Sequence, residues 1–205
     1  MKKCLFSLVV FFFTAALIHL EAQPEIGFGV RAGVNISSQS TSVRAENVQT
    51  IDLNGLLRYN GGVWFNYFII DRLAIQPELL ISGKGANWND PDYDVKDLLT
   101  YIDVPVLIRY QIIDFLNIHA GPEFGHLLRA RQKDNATGDI IGINDYYKKS
   151  DFGIAVGLEG NLPMKINVTV RYVFGLIPTT TDVQYIDPWY NNFFEISVGY
   201  RLFGK

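Results

Sequence analysis

The chain has 205 residues, 48% of them hydrophobic, and a formal net charge of −3. That length fits one domain, and the mild acidic excess excludes the basic footprint of a nucleic-acid binder. A single cysteine, Cys4, excludes a disulfide framework and a cysteine-built metal site.

The first segment is a leader. Lys2 and Lys3 precede an apolar stretch over 5–18 that only Ser7 and Thr14 interrupt, and Ala22-Gln23 offers a small-residue cleavage point. This is the plan of a secretory signal peptide over 1–22, leaving a mature domain over 23–205. The alternative, an N-terminal membrane anchor, is disfavoured because the apolar stretch falls short of the roughly 20 residues that a spanning helix needs. Cleavage removes Lys2, Lys3, Cys4 and Glu21, so the mature chain is slightly more acidic and has no thiol. No later stretch is long and apolar enough for a transmembrane helix.

Beyond the leader the dominant signal is a period of two. Over 26–37 the even positions are Ile26, Phe28, Val30, Ala32, Val34 and Ile36, and the odd ones are Gly27, Gly29, Arg31, Gly33, Asn35 and Ser37. Such alternation is that of a strand with one apolar and one polar face. Seven further strands are predicted over 59–70, 73–85, 101–111, 116–129, 151–160, 165–175 and 193–203. The links at 71–72, 113–115 and 161–164 are short, whereas those at 38–58, 86–100, 130–150 and 176–192 are long. Strict alternation of short and long links, with an even strand count, matches an outer-membrane barrel with short periplasmic turns and long outer loops. The expected fold is all-β, an eight-stranded antiparallel up-and-down transmembrane β-barrel. Pro77, Pro105 and Pro122 fall inside strands and are expected at bulges or at the barrel mouth.

Alternation alone also fits a soluble lipocalin-like barrel. Lipid on the outside is favoured by glycines on the polar face, among them Gly29, Gly62, Gly121, Gly157 and Gly199, which suit a crowded interior. It is favoured too by Phe28, Tyr67, Tyr110, Phe124, Phe152, Tyr172, Phe174 and Tyr200 near the strand ends of the apolar face. The polar face then lines the lumen. Its cations Arg31, Lys84, Arg109, Arg129, Arg171 and Arg201 balance its anions Glu78, Asp103, Glu123, Asp151, Glu159 and Glu195. Eight strands enclose little beyond their own side chains, so a plugged, charge-balanced lumen is expected. A proton or ion path along these charges is the functional alternative.

Seven segments carry a family resemblance: FGVRAGVN from Phe28, AIQPELLISGKG from Ala74, YIDVPVLIRY from Tyr101, HAGPEFGHLL from His119, DFGIAVGLEG from Asp151, VRYVFGL from Val170 and ISVGYRLF from Ile196. In this order they resemble the PorT-like outer-membrane β-barrel family of Bacteroidota, over nearly the whole mature chain. The resemblance implies an eight-stranded barrel inserted by the barrel-assembly machinery. Its namesake is associated with protein secretion, and it supplies no catalytic motif. The chain ends Phe203-Gly204-Lys205, whereas many outer-membrane barrels finish on the aromatic.

Signals for chemistry are weak, and an enzyme is not expected. His119 and His126 stand seven apart on one strand, so they point to opposite faces and cannot share a metal. His119 is expected as a hydrogen-bonding lumen residue and His126 near the outer interface, where Ser82 and Asp151 are its conceivable catalytic neighbours. Asp90, Asp92 and Asp94 begin like a calcium loop, but Val95 and Tyr101 replace the glycine and glutamate that an EF-hand requires. With Asp97 they are read as a solvated loop, or as a weak Ca²⁺ or Mg²⁺ bridge to lipopolysaccharide. Trp88, Tyr93, Tyr146, Tyr147, Tyr185, Trp189 and Tyr190 on the outer loops are a candidate recognition surface. Asn35 and Asn167 match a glycosylation pattern but lie in strands. No cofactor is expected. The expected partners are outer-membrane lipid and lipopolysaccharide, with no nucleic acid. The expected role is envelope scaffold or binding protein, with a secretion or envelope-assembly component as one alternative and an enzyme or narrow channel as another.

Overall fold

A computed structural model describes residues 26–41, 55–90, 93–181 and 188–204. The leader, Asp92 and Tyr185 lie outside the described residues, as do the side chains of Asp90 and Tyr93. Eight long strands form the wall: β1 (Ile26–Thr41), β2 (Leu56–Ile70), β3 (Leu73–Asp90), β4 (Tyr93–Ile113), β5 (Leu116–Asp134), β7 (Ser150–Asn161), β8 (Ile166–Gly175) and β9 (Trp189–Gly204), with a three-residue strand β6 (Ile140–Gly142) inside the β5–β7 connection. Every neighbouring pair is antiparallel, and the β1–β9 and β4–β5 ladders close the ring, so no long edge remains. Closure satisfies the backbone donors and acceptors that hydrocarbon cannot.

The period-two pattern decides the two faces. Val30, Val34, Leu79, Ile81, Ile108, Val156, Ile196 and Val198 are each more than a third exposed on the outside. The alternate positions Arg31, Glu78, Asp103, Arg109, Glu159, Arg171 and Glu195 are buried inside. Soluble monomers rarely expose an apolar patch of more than a few hundred Å², and a lipocalin-like arrangement has the opposite sidedness. The inward glycines make room for the filling. A Cβ on Gly29 would lie 2.4 Å from the Trp64 ring, and one on Gly157 would lie 2.6 Å from Arg171 Cβ.

Three expectations need correction. The described residues of 86–100 are strand: β3 and β4 pair without a gap from Leu80↔Asp103 to Asp90↔Tyr93, because Trp88, Val95 and Leu99 keep the strand alternation. The segment 130–150 is likewise partly ordered, with β5 running to Asp134 and pairing β6. The three prolines are not bulges. Pro77↔Val106, Pro105↔Glu123 and Pro122↔Ile154 sit inside ladders whose register is the same on both sides. Register shifts fall elsewhere, at Phe28/Gly29, Phe68/Ile70, Thr100/Tyr101 and Gln111/Ile113.

Val156 lies midway along β7, opposite Ala120 and Tyr172. Val156→Arg is expected to cost about 2–4 kcal/mol in urea unfolding from lipid vesicles, whereas Leu128→Arg at the outer rim costs about 0–1 kcal/mol. Equal, small losses at both positions would contradict the assignment of the apolar face to hydrocarbon.

Candidate functional site: a filled lumen under a folded cap

Ions inside a narrow ring must find partners, since an unpaired buried charge is far costlier than a paired one. The structure arranges them in two layers. In the lower layer Arg31 Nη1 lies 3.0 Å from Glu78, and its Nη2 lies 3.3 Å from Glu159. Arg171 Nη2 is 2.9 Å from Glu78 and its Nε 3.5 Å from Glu195. Arg109 Nε meets Glu159 at 3.0 Å. The Thr169 hydroxyl accepts from Arg31, and Gln76 donates to Glu78. Three arginines thus neutralise three glutamates.

The upper layer is different. Lys84 Nζ lies 3.0 Å from Asp103, 3.3 Å from Glu123 and 3.2 Å from Asp151. An ammonium has three donors, and each finds one carboxylate. The rings of Tyr101 and Phe193 stand 4.8 Å from the same nitrogen. Asn191 donates to Asp151 at 2.9 Å and to the Tyr101 hydroxyl at 3.3 Å.

A cap covers this layer. Tyr147, in the β5–β7 connection, is buried; its hydroxyl donates to Asp97 at 2.7 Å and lies 3.3 Å from Gln39 Oε1. Burial and then the neighbouring Asp97 carboxylate push the Tyr147 pKa up, which keeps its phenol a donor. Gln39 donates to Asn191, linking cap to lysine layer. Asp97 also accepts from the Trp88 indole and from Gln132. Ile143 and Tyr147 pack with Leu99, Tyr101, Leu127 and Ala130 in one apolar cluster. The β8–β9 connection locks the cap: Lys148 N donates to Thr179 O at 2.7 Å, Thr181 N to Tyr146 O at 3.0 Å and Thr179 N to Trp189 O at 2.7 Å. At the periplasmic end a cavity of about 20 Å³ lies among Trp64, Asn66, Arg109, Glu159, Asn167 and Arg201, room for one water-sized occupant.

Ten of the twelve residues expected in the lumen network are buried there: Arg31, Glu78, Lys84, Asp103, Arg109, Glu123, Asp151, Glu159, Arg171 and Glu195. Arg129 is not. The ladder pairs Tyr101 with Leu127 but Thr100 with Arg129, so a bulge inserts Leu128 and turns Arg129 outward, leaving Leu127 and Ala130 inside. Arg201 is half-buried at the periplasmic mouth, one residue before the β1–β9 register shift. Without these two cations the expected balance fails. Among the described residues four buried cations face seven buried carboxylates, three of them around Lys84 and one, Asp97, under the cap.

The outer-loop aromatics do not form one surface. Tyr147 points inward, and Trp88 packs edge-on against Trp189 with centroids 4.5 Å apart. Tyr146 is exposed and Tyr190 half-buried. His119 is buried in the lumen, but neither ring nitrogen has a hydrogen-bond partner among the described residues, contrary to its expected role. His126 faces outward, away from the buried Ser82, which Asn35 engages, and from Asp151, so the three do not assemble. Asp94 is exposed and accepts from Asn135, while Asp97 is inside, so the acidic run is not one loop. No group of metal-ligating side chains occurs among the described residues. Asn35 and Asn167 are both buried.

Asn35, Gln39, Asp97, Thr169 and Asn191 complete the network; in the sequence Asn35 stands out only as a glycosylation match and Asp97 only as part of an acidic loop, and the other three not at all. Their signal was parity: each continues the inward row of its strand beyond or between the charged positions.

The sequence over residues 21–181 matches the family model for the outer membrane protein beta-barrel domain. The chain belongs to this family. Its fold is similar to that of Ail, the attachment invasion locus protein of Yersinia pestis, with TM-score 0.50 and 11% identity over 87% of this chain and 99% of that one. It is similar also to neisserial surface protein A, NspA, with TM-score 0.52 and 12% identity over 84% and 96% of the two chains. No curated protein matches the sequence. The protein is therefore a small outer-membrane β-barrel.

Lys84→Met leaves three buried carboxylates without their cation. It is expected to cost about 3–5 kcal/mol in denaturant unfolding. Arg129→Gln, which touches nothing inside, should change stability by less than about 0.5 kcal/mol. A mild Lys84→Met phenotype would show that the upper layer is neutralised by something other than this ammonium.

Proposed function

We propose that this barrel is a non-enzymatic envelope protein that acts as a scaffold or binds through its outer face, and that its lumen transports nothing. The observation that supports this is the interlocked cap over a filled lumen. Tyr147, Asp97, Gln39 and Asn191 form a hydrogen-bonded lid directly on the Lys84 layer. A solute path would have to break this lid and then the ion pairs beneath it. The ion network needs no transport role to explain it, since each carboxylate of the two charged layers is already within reach of a cation and Asp97 is held by neutral donors.

The PorT-like resemblance favours a second reading, a component of a protein-secretion or envelope-assembly machine. It rests on analogy of sequence segments and not on a site. Mild extraction of a chromosomally tagged protein from its own outer membrane separates the two. The scaffold reading expects the barrel to run without a stoichiometric protein partner, and a stable partner would favour the machine.

In planar bilayers the protein is expected to give no steady conductance, whereas Tyr147→Ala, which removes the centre of the lid, should increase brief openings. Steady wild-type pores would overturn the plugged lumen.

A further inference from the structure

The bulge that turns Arg129 outward sits at an informative height. From the periplasmic turn at Asp114-Phe115, the run from Leu116 to Arg129 climbs roughly 30 Å along the barrel axis for a tilted strand. The apolar band of such barrels is about 25 Å tall. Arg129 therefore stands just beyond the outer edge of the hydrocarbon. Phe124 and Leu128, 52% and 51% exposed, mark that edge directly below it. An arginine on the lipid face is costly at the midplane and nearly free at the interface.

The local backbone makes a recess at this height. Up to His126 the neighbour of β5 is β7, starting from His126↔Ser150. From Arg131 onward the neighbour is β6, through Arg131↔Gly142, Gln132↔Ile141 and Lys133↔Ile140. Where one neighbour gives way to the other, a cavity of about 410 Å³ opens to the outside, lined by Arg129, Arg131, Ile140, Ile141 and Asn144. Ile140 and Ile141 are 51% and 57% exposed. Neither arginine forms an ion pair among the described residues. The nearest acid on this strand, Asp134, is occupied by the N–H groups of Ala136 and Thr137 in its own turn.

Two arginines without anions, flanked by exposed isoleucines and set at headgroup level above an apolar wall, fit one class of ligand. We infer that this recess binds a phosphate of lipid A in the outer leaflet, with Arg129 and Arg131 holding the phosphate and Ile140 and Ile141 resting on the lipid. Guanidinium groups suit phosphate through paired donors. The bulge is the device that makes the site, since unbroken alternation would send Arg129 into the lumen. This inference rests on the outer-membrane placement of the barrel and not on the scaffold role.

The test is native mass spectrometry of the full mature protein released from micelles, titrated with bisphosphorylated lipid A. One bound lipid A is expected per barrel. Removing both phosphates from the lipid, or substituting Arg129→Gln with Arg131→Gln, should weaken binding by about five-fold per arginine, about 25-fold for the pair. Arg129→Lys, which keeps the charge but not the paired donors, should fall between wild type and Arg129→Gln, and Arg72→Gln at the periplasmic turn should change nothing. The wild-type comparison of phosphorylated and dephosphorylated lipid A reads the site even if the double variant fails to fold. Equal affinity for the two lipids, an unaltered double variant, or equally tight binding of phosphatidylglycerol would overturn the assignment.

Discussion

A charge inside a ring of eight strands has almost no water to turn to, so it must be answered by another charge or a donor on a different strand. That requirement shapes this barrel. Arg31 on β1 joins Glu78 on β3 to Glu159 on β7, and Arg171 on β8 joins the same Glu78 to Glu195 on β9. Arg171 and Glu195 are ladder neighbours, but the Arg171–Glu78 and Arg31–Glu159 bonds cross the lumen, so the wall is tied across its diameter as well as around its circumference. The glycines opposite these side chains are the complement of their bulk, as Gly157 is beneath Arg171.

The network grades from ionic to neutral on the way out. Three arginines and three glutamates at the bottom give way to one lysine among three carboxylates, then to Asn191, Gln39 and Tyr147. Amides and a phenol can both give and accept, so they join the charged layer to a lid made of backbone and apolar packing. The lid is not an ornament of the loops. Its tyrosine is the outer end of the same chain of hydrogen bonds, and that continuity ties barrier and scaffold to one set of residues.

A register shift of one residue has a large effect in this setting, because the two faces meet media as different as hydrocarbon and an ion network. The bulge at Leu128 removes one arginine from the lumen and turns it to the outer face. The same event leaves the lysine layer with fewer cations than the strand pattern promised. Charge accounting and outer-surface chemistry are therefore two consequences of one backbone irregularity.

Alternation of Val, Ile and Phe with Arg, Glu and Asn was enough to specify strands, sidedness, the ring and the membrane, because a period of two maps directly onto two faces. It also identified Arg31, Glu78, Lys84, Asp103 and Arg171 as interior, since nothing interrupts parity between them and the mid-strand. What composition could not reveal was where parity breaks or how far strands continue past the bilayer. Arg129 reads as inward until the pairing of Thr100 with Arg129 and of Tyr101 with Leu127 is known, and Tyr147 reads as a loop aromatic until Asp97 and Gln39 are brought beneath it. Bulges and loop closures depend on contacts between segments distant along the chain, so only the assembled ring decides which solvent each of these residues meets.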